Sequence, residues 1–167
     1  MKPTAQVQHY LNGAWYYKKK AEKLDDEIRI LRSKAEKMTA SYTEAPVFSS
    51  GIEDQRQAKI DEMTDKQREY KKVMQQCRNQ LQEIQYVINM LDNFKERIVL
   101  EYRYMHFLNW QDIAFRLYYT ERQVHNIHGE ALMHLLDCDR KIMERNGGKS
   151  FFAKKEKSLF DFLATFQ

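Results

Sequence analysis

Apolar residues between positions 7 and 38 recur at alternating steps of three and four: Val7, Tyr10, Ala14, Tyr17, Ala21, Leu24, Ile28, Leu31, Ala35 and Met38. Such a seam runs along one side of an α-helix and packs knobs into holes against a partner helix. It stops at Thr39, and Pro46, Ser49, Ser50 and Gly51 punctuate a stretch, about 39–54, that reads as a loop. Glu53 and Asp54 then suit the first turn of a new helix, where acids oppose the helix dipole. A second seam follows through Ile60, Met63, Gln67, Tyr70, Met74, Cys77, Leu81, Ile84, Ile88 and Leu91. Residues 1–91 are therefore expected to form an antiparallel, coiled-coil-like helical hairpin. The pattern fits a hairpin closed on itself and one joined to a second copy in a four-helix bundle. Trp15, Tyr86, Val87 and Met90 lie off the narrow seam and lean towards the homodimer.

From Asp92 the register loosens. Residues 93–107 predict a helix that buries Phe94, Ile98, Leu100 or Tyr102, and Met105. A further helix beginning at Trp110 would bury Ile113, Ala114 and Leu117, and it breaks at Tyr118–Tyr119–Thr120. Thr120 offers a hydroxyl to the free amides of the next helix, with Gln123 three residues on as its capping-box partner. That helix, expected over 120–136, keeps Val124, Ile127, Ala131, Leu132 and Leu135 on its apolar face. Glu121, Arg122, His125, Asn126 and Gly129 fall on the open one. Three short helices around Ile98, Ile113, Leu117, Val124, Ile127 and Leu135 make a small core for 92–140. The expected fold is all-α: a long helical hairpin followed by a compact three-helix domain. A short helix with a small, polar outer face, braced by a tight turn against its predecessor, is how a helix-turn-helix meets the major groove. An ordinary helix pair in a bundle produces the same pattern.

Composition narrows the class. Five Gly and two Pro in 167 residues leave long helices uninterrupted. No apolar run approaches the ~18–20 residues of a membrane span. The start, MKPTAQVQHY, lacks a signal-peptide core, so a cytoplasmic chain with reduced thiols at Cys77 and Cys138 is expected. Residues 92–140 carry six Lys/Arg against eight Asp/Glu, a net −2, unlike the basic footprint of a protein that binds DNA unaided. Positive charge gathers at Lys18–Lys20 and in the tail, 141–167, with six Lys/Arg against three acids. Asn146–Gly147–Gly148 should stop the preceding helix. Beyond it Phe151, Phe152, Leu159, Phe160, Phe162, Leu163 and Phe166 either fold back onto the body or dock on a partner.

Little in the chain suggests catalysis. His125 with His128, and His134 with Cys138, have the i,i+3 and i,i+4 spacing of paired metal ligands. The two pairs are two turns apart on one helix, so they cannot converge on one ion and no metal is expected. His128, bordering the buried face, reads as a packed and hydrogen-bonded histidine. No nucleophile with a base, phosphate loop or paired carboxylates stands out, so neither enzymatic activity nor a cofactor is expected.

Residues 97–135 resemble region 4 of bacterial sigma factors. The matching positions are Arg97, Val99, Leu100, Tyr102, Arg103 and Tyr104, then Trp110, Asp112, Ile113 and Ala114, then Thr120, Val124, Ala131, Leu132 and Leu135. The run from Tyr119 to Leu132 is similar to that of small phage and prophage regulators of Gram-positive bacteria, the ArpU- and RinA-like proteins. Asn109 stands where a glycine is common, and Tyr118–Tyr119 replace the usual small turn. The resemblance implies a transcriptional regulator of phage late or packaging genes that acts through promoter DNA and host RNA polymerase. By position, it implies that Arg122, Gln123, His125 and Asn126 face bases, with Thr120 and Glu121 at the helix start. It also implies that Gln111 and Arg116 lie near phosphates. The acidic balance of 92–140 and the aromatic tail motivate an alternative: a protein-interaction module with a vestigial helix-turn-helix, whose hairpin or tail captures a host or phage protein.

Overall fold

The computed structural model describes residues 3–44, 50–146, 150 and 152. The chain is all-α. Helices α1 (Pro3–Leu11), α2 (Gly13–Glu44) and α3 (Ser50–Ile88) precede α4 (Phe94–Leu100), which runs directly into a π-helical turn, Glu101–Met105. Helices α5 (Trp110–Leu117) and α6 (Glu121–Asn146) complete the order. Among the described residues no helix is long and apolar enough to cross a membrane.

The first seam holds, with one interruption. Val7, Tyr10, Ala14, Ala21, Leu24, Ile28 and Leu31 are all buried. The helix breaks at Asn12, whose carbonyl accepts from the amides of Trp15 and Tyr16. Gly13, next to the break, permits a close approach to α3, because a Cβ there would meet the Gln80 side chain at 3.1 Å. The expected loop at 39–54 is too wide. Helix α2 continues to Glu44 and α3 already begins at Ser50. The loss of a hydrophobic seam ended the pattern but not the helix, since 39–44 contains neither Gly nor Pro. Residues 45–49, including Pro46, lie outside the described residues.

The contacts divide the chain into two compact units, Tyr17–Cys77 and a unit formed by Met1–Tyr16 with Arg78–Gln167. The first 16 residues and the end of α3 from Arg78 thus share a compact unit with α4, α5 and α6. Within Tyr17–Cys77 the helices run antiparallel. Lys20 pairs with Glu69 at 2.9 Å and Glu27 with Lys66 at 2.7 Å, so rising numbers on α2 meet falling ones on α3. Ala21, Leu24 and Val73 pack with Tyr17 and Tyr70. Val73 takes the place expected for Met74, which is exposed. A 3.6-residue turn drifts against a strict three–four alternation, and the β-branched neighbour falls inside.

In the other unit two apolar clusters share α4 and α6. The larger joins Val7, Tyr10, Leu11 and Ala14 to Ile84, Val87, Ile88 and Leu91, and both groups to Leu100, Tyr104, Ala131, Leu132 and Leu135. The smaller joins Val99 on α4 to Ile113 and Ala114 on α5 and Val124 on α6, with Tyr102, Leu117 and Ile127 at its edge. Helix α4 therefore faces both clusters through Val99 and Leu100. Phe94, expected inside, is 65% exposed, and Tyr104 is buried in its stead. Leu135 was expected in the small core and belongs to the large one.

Helix α6 takes in the tail as far as Asn146, and beyond it Ser150 and Phe152 are described. Phe152 is buried in the large cluster with its ring edge-on to Tyr10, centroids 5.4 Å apart. The Ser150 hydroxyl donates to Asp139 at 2.6 Å. At Phe152 the chain folds back. Phe151 and Leu159 to Phe166, with Lys149, Lys154, Lys155 and Lys157, lie outside the described residues.

Candidate nucleic-acid interface

Two turns of unlike chemistry set the start of α6. Helix α5 opens on Asn109, whose side chain accepts from the Asp112 amide at 2.7 Å. It closes with Tyr118 in the left-handed region at φ 56. The Tyr119 amide reaches back to the Ala114 carbonyl at 3.0 Å and the Tyr118 amide to that of Phe115 at 3.3 Å. This is the Schellman pair of bonds that ends a helix, normally built on glycine. Tyr118 itself is 95% exposed. Its side chain gains little from the fold while its backbone carries the strain of a left-handed L-residue. Tyr118→Gly should therefore raise stability by about 1 kcal/mol, or roughly 2–4 °C in melting temperature. A melting curve unchanged or lowered would refute this account of the turn.

Thr120 then begins α6 with the expected capping box. The Gln123 amide donates to Thr120 Oγ1 at 3.2 Å, and Gln123 Oε1 accepts from the Thr120 amide at 2.8 Å. Two orphan donors are satisfied reciprocally, which stabilises the helix start. Thr120 and the carbonyl end of Gln123 are thus engaged in holding α6. The Gln123 amide nitrogen remains for other contacts.

The residues expected to meet DNA are all exposed: Gln111 and Arg116 on α5, and Thr120, Glu121, Arg122, Gln123, His125 and Asn126 around the start of α6. The fold brings the last four onto the outer side of one helix, while Val124 and Ile127 turn inward. The side chains of Gln111, Glu121, Arg122 and Asn126 make no hydrogen bond or ion pair with a described residue. Gly129 continues this face, with nothing within 4 Å of a Cβ built there. The Arg116 guanidinium lies 5.9 Å from the Tyr102 ring centroid, a loose cation–π approach that keeps it beside α5.

His125 is more constrained than its spacing suggests. Its ring lies 4.4 Å from that of Trp110, whose other neighbours are the His128 ring at 4.9 Å and the Arg103 guanidinium at 4.5 Å. Arg103 also donates to the Leu108 carbonyl at 2.9 Å. Trp110 is therefore the brace that ties α5 and the π-helical turn to α6. Behind it the Tyr104 hydroxyl and His128 Nε2 share a hydrogen bond of 2.8 Å. Burial pushes the His128 imidazole down to about 4, with His125 and Arg103 adding repulsion. Burial likewise drives the Tyr104 phenol upward. Both groups are neutral at pH 7.

A second lock was invisible in the sequence. Glu96, only 1% exposed, accepts from Asn93 Nδ2 at 2.8 Å and bonds His134 Nδ1 at 2.8 Å. The carboxylate raises the His134 imidazole through the hydrogen bond first and its charge second. The bond from Glu96 to His134 joins residues 38 positions apart, and no local spacing signals it. The side chains at ligand spacing have other neighbours: His134 bonds Glu96, His125 and His128 flank Trp110, and the Cys138 thiol faces the Met90 carbonyl at 3.8 Å.

The acidic balance of 92–140 reads differently once the side chains are placed. Glu96 and Asp139 are buried and hydrogen-bonded, and Glu101 accepts from Gln85 at 3.1 Å. The net −2 is not the charge of the exposed face of α6. Comparison with family models, with curated proteins and with solved structures finds no match to this chain.

Proposed function

We propose that the chain is a DNA-binding transcriptional regulator of phage type, reading double-stranded promoter DNA with the N-terminal half of α6. One observation carries the reading. Arg122, His125 and Asn126 form an exposed, hydrogen-bonding face on a helix held by a capping box and the Trp110 brace. Arginine and asparagine are the side chains suited to guanine and adenine edges in the major groove, each good pair discriminating by about 1–3 kcal/mol. With so few basic residues on the module, the regulator works in company, through host RNA polymerase or through a homodimer made by the hairpin.

Selection of genomic fragments by the full chain at moderate salt tests the proposal. Arg122→Ala and Asn126→Ala should each weaken binding to the selected duplex by roughly tenfold or more while leaving the melting curve in place. Unchanged binding by both variants would remove this face from consideration.

A specific observation favours the second reading, a protein-interaction module. Phe115 is 83% exposed and Tyr118 95%, one turn apart at the end of α5. Exposed aromatics of that size are typical of protein-contact patches. Failure to retain any duplex at low salt, together with co-purification of a host protein that Phe115→Ser abolishes, would replace the first reading by this one.

A further inference from the structure

Beside the exposed face of α6 runs a groove lined by Asn93, Lys95, Tyr119, Gln123, Asn126 and Ile127, with Glu130. We infer that this groove seats the sugar-phosphate backbone of a DNA strand, with Lys95 as its phosphate ligand. The inference rests on the reading of α6 as a DNA-contacting helix and adds a contact that the resemblance does not supply.

Gln123 and Asn126 belong both to the reading face and to the groove wall, so a duplex laid on that face passes the groove directly. Gln123 Oε1 is already occupied by Thr120, which leaves the amide nitrogen, a donor, for the groove. Asn126 and Tyr119 also line the groove and carry donor groups, and the Lys95 side chain has no ion-pair partner among the described residues. Donors and an unpaired ammonium around a shallow channel match phosphate oxygens, which only accept.

Lys95 is also held in place. Its amide bonds Asn93 Oδ1 at 3.0 Å, fixing the first turn of α4. The next residue, Glu96, is tied to α6 through His134. The root of the lysine therefore has a set position relative to Asn126, which reduces the ordering cost of a contact made by a long side chain. Glu130 is the acid among the lining residues and opposes the inference by its charge. It stands four residues beyond Asn126 and acts on His134. Its presence predicts a variant of opposite sign.

The test uses the full chain and two labelled 30-base-pair duplexes, one of random sequence and one enriched from a random library, titrated across a salt series. Lys95→Ala should weaken both by a similar factor, roughly three- to tenfold. It should also reduce the slope of log affinity against log salt by about one. Glu130→Gln should tighten both. Asn126→Ala should instead remove the preference between them. If Lys95→Ala matches the wild type in affinity and slope while Asn126→Ala loses the preference, the groove is not a backbone seat and the reading of α6 stands. If the wild type binds neither duplex at low salt, both fall.

Discussion

Leu135→Ala should destabilise the protein by about 2–5 kcal/mol, the range for removing a leucine from a close-packed core. For a chain of this length that lowers the melting temperature by roughly 5–20 °C. The size follows from where Leu135 lies. It is 1% exposed and belongs to a cluster assembled from α1, α3, α4 and α6, so the surroundings cannot collapse into the space it leaves. Val73→Ala offers the contrast. Val73 is also buried, but its cluster holds only Ala21 and Leu24 with two half-buried tyrosines. A smaller cavity among more yielding neighbours should cost roughly 1–2 kcal/mol. Urea denaturation of both variants compares them directly. A Val73→Ala loss equal to that of Leu135→Ala would contradict the assignment of the main core to the unit of Met1–Tyr16 with Arg78–Gln167.

The second large effect is a loss of stability in acid, traced to His128. An unfolded histidine takes its proton near 6.5, whereas the folded one, pushed down to about 4 by burial, resists until much lower pH. Between about 6.5 and about 4 the unfolded state binds more protons, so stability falls as pH falls, by about 3 kcal/mol in all, and levels off below. His134 acts with the opposite sign. Its raised value means that its contribution is complete below about 6.5 and is lost as pH rises through the folded value. The two histidines can be separated by subtraction. His128→Gln removes the first titration and leaves the second, so the stability difference between wild type and variant should shrink steadily from pH 6.5 to pH 4. Parallel profiles for the two proteins would show that His128 does not control acid unfolding.

Legibility varied by element, for physical reasons. The capping box at Thr120 and Gln123 involves groups three residues apart, and it stands at the expected place. The inward face of α6 was equally legible, because 3.6-residue periodicity is a local property. The termini of α2 and α3 are not legible in the seams, because a seam records where a helix has a partner, which is a different question from where it stops. The break at Tyr118 is legible but its left-handed geometry is not, since such a cap is normally announced by glycine.

By itself, then, the sequence determined that the chain is helical, where the breaks near Tyr118 and Asn146 fall, and which side of α6 is polar. These depend on backbone preference and on neighbours within one or two turns. Only the tertiary structure decided that α4 serves two cores and that Leu135 belongs with Val7 and Ile84. It alone joined Trp110 to Arg103 and two histidines, buried Glu96 against His134, and set Lys95 in the same groove as Asn126. Each of these brings together side chains distant in sequence, where the choice of partner depends on which surfaces the packed helices leave facing one another.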